Sequence, residues 1–178
     1  MATDSLKTLF IDELRDLYDA EQQLIKALPK MAEASNSPEL RSGFEEHLEQ
    51  TKNHARRIEQ IMDAIGESPK GKKCKGMQGL VSEGSETIKE KYDGAVSDSA
   101  VISAAQRVEH YEIAAYGCVR DYAELLGETE AASLLSQTLE EEKQTDEKLT
   151  TVAEQINREA LSQAGETTRR RAKSAGAY

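Results

Sequence analysis

The sequence predicts an all-α protein, on three observations. Trp is absent, Pro occurs three times in 178 residues and aromatics make up 4%, while Ala, Leu, Glu, Lys and Gln, all strong helix formers, dominate. Long stretches carry neither Gly nor Pro. Four of them repeat their apolar residues with a helical period.

The first helix is expected over 5–34, with Asp4 or Ser5 as its cap and Leu6, Leu9, Phe10, Leu14, Leu17, Leu24, Ile25, Leu28 and Met31 as its apolar series. Pro29 falls inside it and should kink or weaken the last turns. SNSPEL is a turn and a new start, with Ser37 as cap and Pro38 at the first position, so a second helix runs over 38–65 and stops at Gly66. GESPKGKKCKGMQ is a basic, Gly-rich connection, followed by a short helix over 80–92 and a break at Asp93-Gly94. A third long helix is expected over 97–126, closed by Gly127, and a fourth over 130–156. From Arg158 the chain is polar, basic at RRR and without an apolar face, which predicts a flexible tail over 158–178 behind a bundle of 1–157. Two hairpins of long helices joined by one long crossover are the connectivity of ferritin-like bundles.

The charge is −10, from 33 acidic and 23 basic residues, which argues against a nucleic-acid partner. Cys74 and Cys118 are too few for a disulfide framework or a thiolate metal site. No apolar run is long enough to span a bilayer and no secretory signal is evident, so no membrane association is expected and the cytoplasm is the expected compartment.

Most acids must lie on solvated helix faces. The informative ones fall on apolar faces. At about 100° per residue from Leu6, Glu21 lies at roughly 60°, inside the arc of the first helix's leucines. His47 lies within the apolar face of the second helix, and His54, one heptad later, on its edge. On the third helix Glu112 lies roughly 20° from Val101, with Glu109 one turn earlier near the edge. On the fourth, Glu142 is central and Asp146 at the edge, while Glu141 lies well to the side. Each has an ordinary reading when taken alone: a buried acid paired with Lys or Tyr, a satisfied core histidine, a partly exposed pair. Together they place an inward ligand on every long helix. Several buried carboxylates repel one another and take up protons unless cations bind among them. The expected metal ligands are therefore Glu21, His47, Glu109, Glu112, Glu142 and Asp146, with His54 at the rim. Oxygen and imidazole donors suit iron, manganese or zinc. Tyr18, Tyr111, Tyr116 and Tyr122 read as core or rim residues.

The blocks DLYDAEQQLIKALPKM, CKGMQGLVSEG, RVEHYEIAAYG and LEEEKQTDEKL resemble the YciF-like branch of the ferritin-like superfamily, bacterial stress-associated proteins. The resemblance covers about residues 5–157 and implies a cytoplasmic homodimer. The wider di-iron pattern is matched by Glu21, by His47 without the preceding Glu (Phe44 stands there), by Glu109 and Glu112, and by Glu142 with Thr145 in the histidine place. It implies two divalent metal ions, iron foremost, and chemistry on peroxide or oxygen. Iron oxidation and storage, or a structural metal in a non-enzymatic interaction protein, are the alternatives.

Overall fold

The computed structural model describes residues 5–90 and 92–175, with side chains up to Gln163. It is built of helices α1 (Leu6–Ala34), α2 (Pro38–Ala64), α3 (Lys75–Lys89), α4 (Gly94–Leu126) and α5 (Thr129–Ala175). No strand occurs among the described residues, and no helix is long and apolar enough to cross a membrane. Short turns make α1 and α2, and α4 and α5, antiparallel pairs. The long crossover carries α3 against α1 and α4.

The local signals explain most boundaries. The Ser5 hydroxyl caps α1 by accepting from Thr8 N at 3.2 Å; Asp4 lies outside the described residues. Ser37 caps α2, accepting from Leu40 N at 3.3 Å. Gly66 and Gly127 adopt φ of +73° and +75°, the left-handed conformation that ends α2 and α4. Pro29 sits inside α1, which continues to Ala34; the proline is exposed, on the side where water can satisfy the carbonyl it leaves free.

Four boundaries differ from expectation, one being the end of the short helix at Lys89 rather than at 92. The short helix starts at Lys75, because Cys74 Sγ accepts from Met77 N at 3.3 Å and Met77 is fully buried. Of the lysines that make this stretch read as a loop, Lys70, Lys73 and Lys75 are exposed, while Lys72 donates to the Asp12 carbonyl of α1 at 3.3 Å. Gly76 is needed there, since a Cβ would lie 2.8 Å from the Tyr111 ring. Helix α4 begins at Gly94, three residues earlier than expected. Helix α5 does not stop near Ile156; its backbone stays helical to Ala175, through the stretch expected to be a flexible tail. Ala160 still packs on the core, and between it and Ala175 only Gly165 disfavours a helix.

The core has two apolar halves. One gathers Phe10, Leu14 and Leu17 of α1 with Ile58 and Met62 of α2, Val119 of α4 and Leu135 of α5. The other gathers Leu24 and Leu28, Leu40 and Phe44, Val101 and Ile102, Leu149 and Ile156. All four long helices run from one half to the other.

The α1–α2 turn is fixed from α4. Asp98, 3% exposed, accepts from the backbone N–H of Asn36 and of Ser37, both at 2.8 Å, and from Asn36 Nδ2 at 3.2 Å. Asp98→Ala would strand two backbone donors. We expect it to lower unfolding free energy by about 2–4 kcal/mol in chemical denaturation with the helical spectrum retained.

Candidate metal centre

Between the two apolar halves every long helix contributes a buried polar residue: Glu21 from α1, His47 and His54 from α2, Glu109 and Glu112 from α4, Glu142 from α5. Each is at most 3% exposed. Two sets form. One ligand atom each from His47, Glu109, Glu112 and Glu142 lie within 4.8 Å of one another, as do those from Glu21, His54 and Glu142. Glu142 belongs to both.

The two histidines are held differently. His47 Nε2 lies 3.3 Å from Glu109 Oε1 and 3.8 Å from Glu142 Oε2. Its Nδ1 is 3.3 Å from both Gln50 Oε1 and Thr145 Oγ1. His54 Nε2 donates to Glu141 Oε2 at 2.8 Å, while Nδ1 lies 2.9 Å from Glu142 Oε1 and 3.7 Å from Glu21 Oε1. Arg57 grips Glu141 with two bonds of 2.7 and 2.8 Å. The Tyr116 hydroxyl donates to Glu21 Oε1.

Burial is the main force on protonation here. It lifts Glu21 to about 7 against the pull of His54, and Glu109 to about 7 against His47. Burial, then the charges of Glu142, Glu21 and Glu109, raise Glu112 well above the usual carboxylate range. Burial opposes the imidazoliums, but Glu109 and Glu142 hold His47 up at about 9, and Glu141 and Glu142 hold His54 at about 10. Burial would raise Glu142 too, yet His54 and His47 keep it low. Hydrogen bonds from His54 and Arg57 lower Glu141 to about 2. Without a cation, the two imidazoliums thus serve as internal counter-ions.

The fit of a cation can be tested on hydrogen bonding. Among the described residues, seven buried side-chain atoms lack a well-aligned hydrogen bond: Glu21 Oε2, His54 Nδ1, Glu109 Oε2, both oxygens of Glu112 and both of Glu142, although His54 Nδ1 and Glu142 Oε1 meet as an ion pair at 2.9 Å. All seven belong to this layer. Leaving a buried acceptor unpaired costs about 1–3 kcal/mol, so such a concentration is what a divalent cation relieves. The donors are oxygen and imidazole, with no thiolate; buried Cys74 instead meets the Tyr111 hydroxyl at 2.9 Å.

Five of the expected ligands (Glu21, His47, Glu109, Glu112 and Glu142) meet in the layer. Asp146 does not. It stays 20% exposed, 3.3 Å from His110 Nε2 and 3.4 Å from Gln106 Nε2 on the outer side of α4. Four residues turn a helix by about 40° beyond a full circle, enough to carry Asp146 out of the seam that holds Glu142. His54, expected at the rim, is fully buried inside it. Its seven-residue spacing from His47 was the available signal. Phe44, in the place of the family pattern's Glu, is core at 3% exposed. Glu141, Arg57 and Tyr116 were not legible as site residues, because helix angles do not show which side chains reach across a seam.

Two antiparallel helix pairs around a buried carboxylate–imidazole layer, with a short helix on the crossover, define a ferritin-like bundle. The chain belongs to the family described as a domain of unknown function, DUF892, whose profile matches residues 5–162. It is 43% identical over 166 residues to protein YciF of Escherichia coli K12, covering 92% of this chain and all of that one. The crystal structure of that stress protein superposes with a TM-score of 0.85 at 44% identity, over 87% of this chain and 98% of the other. A Rhodopseudomonas palustris protein gives 0.81 at 40% identity, over 85% and 98%. A dodecameric thioferritin, the bacterioferritin-related protein of Bacteroides fragilis, gives 0.68 at 18% identity over 89% and 91%, a likeness of fold.

The raised groups bind protons more tightly in the folded chain than unfolded. Stability from Glu21 and Glu109 is therefore lost between their ordinary 4.5 and about 7, and that from His47 and His54 between 6.5 and about 9 to 10. We expect metal-free protein to melt at least about 5 °C lower at pH 9.5 than at pH 6 by calorimetry. Equal melting temperatures would contradict this protonation pattern.

Proposed function

We propose that this protein holds two divalent cations in the bundle, iron foremost or manganese, and serves a bacterial stress response through chemistry on peroxide or oxygen, with zinc as the alternative for a structural site alone. The observation that carries this reading is the set of buried oxygen and imidazole ligand atoms confined to one layer, seven of them without a well-aligned hydrogen bond. In this reading Glu142 is shared. Glu109, Glu112 and His47 complete one set, and Glu21 and His54 the other. Redox-active ions bound there would supply the electron changes that reducing peroxide or oxygen requires.

The chain's own residues do the rest. Glu141, fixed by Arg57, holds a proton on His54 Nε2 and so presents Nδ1 to the layer. Tyr116 fixes one oxygen of Glu21 and leaves the other to the layer. The apolar halves on either side exclude bulk water and strengthen each of these interactions. The stress role is supported by the likeness to YciF, and a cytoplasmic location goes with it.

Metal content of purified variants, reconstituted anaerobically with Fe(II) and separately with Mn(II), tests the reading. Glu21→Ala and Glu142→Ala should lower stoichiometry sharply, Glu112→Ala more than Glu109→Ala, and the exposed Glu45→Ala not at all. Unchanged stoichiometry in both Glu21→Ala and Glu142→Ala would move the metal out of the bundle.

The same reading includes a homodimer, as the family resemblance implies. Sedimentation should give the mass of two chains. A monomer mass independent of concentration would refute it.

A further inference from the structure

Helix α2 packs more fully on α1 than on α5, and two hollows follow the looser α2–α5 seam. The outer one is an open bowl whose wall carries Glu39, Glu46 and Glu147 against one cation, Lys148. The inner one is a cavity of about 40 Å³ that reaches His47, Gln50 and Thr145. Glu39, Gly43, Glu46, Lys148 and Val152 line both, so the two adjoin. A water needs about 10–15 Å³ of such space, so the inner cavity has room for a few.

His47 is the wall between this cavity and the buried layer. Its Nδ1 faces Gln50 and Thr145 on the cavity side, while its Nε2 faces Glu109 and Glu142. The Thr145 hydroxyl is shared with the Glu141 carbonyl at 3.1 Å, and the Gln50 oxygen accepts only the long 3.3–3.4 Å contacts of His47 and Thr145. These are neutral oxygens held loosely at the inner end.

We propose that divalent cations reach the buried layer through this seam, gathered by the acids of the bowl and passed between Gly43 and Val152 to Gln50, Thr145 and His47. The proposal rests on the metal-binding reading and adds the route. Gly43 supports it. Glycine weakens a helix interior, yet neither a positive φ nor a close neighbour requires one here, and an added Cβ would meet nothing within 4 Å. What glycine provides at this position is space. Lys148 crosses the mouth to Glu46 at 3.0 Å and lowers its negative potential. The apolar groove between α1 and α3 has the opposite character: Lys26 and Lys30 stand at its wall, and no residue of the buried layer lines it.

The test is the rate at which metal-free full-length protein takes up Co(II) under anaerobic rapid mixing, followed by visible absorption, with final stoichiometry measured on the same samples. Gly43→Leu and Val152→Phe should each slow uptake roughly tenfold by placing bulk in the open space between the two positions, at unchanged stoichiometry. Lys148→Ala should speed it about threefold at low salt and less at high salt. Ala27→Leu, in the α1–α3 groove, should leave the rate unchanged. Uptake at the unsubstituted rate in both Gly43→Leu and Val152→Phe would overturn the route while leaving the metal site standing. Failure of the unsubstituted protein to take up Co(II) would overturn the metal reading and the route together.

Discussion

The fold is organised around one electrostatic problem: carboxylates buried in an apolar bundle. Glu21, Glu109, Glu112 and Glu142 sit where the two apolar halves of the core meet. A lone buried carboxylate is too costly to stay charged, and four together are worse. The chain answers with two imidazoles from one helix, His47 and His54, and with protonation of the carboxyls that these do not reach. That offsets part of the buried charge when no cation is bound. It also makes protons the natural competitors of any cation entering the layer.

Both imidazoles come from α2, and this sets an asymmetry. Where the wider di-iron pattern has a histidine on the last helix, Thr145 stands, and its hydroxyl turns to the Glu141 carbonyl and towards His47 Nδ1. Helix α5 therefore supplies the shared carboxylate Glu142 and, one residue earlier, Glu141, which orients His54 from outside the layer. Adjacent residues on one helix thus serve opposite sides of the same histidine. Thr145 also lines the cavity that reaches His47 along the α2–α5 seam.

The crossover is tied down by similar means. Asp19 of α1 accepts from Cys74 N and Lys73 Nζ, both at 2.9 Å, and fixes the start of α3. The Tyr111 hydroxyl donates to Asp16 at 2.9 Å and meets Cys74 Sγ, so α1, α3 and α4 join through one small polar group beside the layer. With Asp98 holding the α1–α2 turn to α4, three acids thus tie the turn and the crossover to the packed helices.

The sequence by itself determined the helices, their pairing and most of the inward polar residues. Each of these depends on a period within one helix or a cap at its end. Glu21, His47, Glu112 and Glu142 lie near the centre of an apolar arc, and no packing arrangement could bury that arc without burying them. What only the tertiary structure decided lies at the edges of those arcs. His54 and Asp146 are both edge residues by angle, yet one is fully buried between Glu21 and Glu142 and the other pairs outside with His110. Glu141 reaches His54 only because α5 packs beside α2 with that seam facing it. The start of α3 is another such case, set by Met77 and Gly76 against Tyr111 in the face of a local composition that favours a loop. A helix's own period fixes direction to within about one residue's turn, roughly 100°. Which neighbour fills the remaining angle depends on how the helices close on one another.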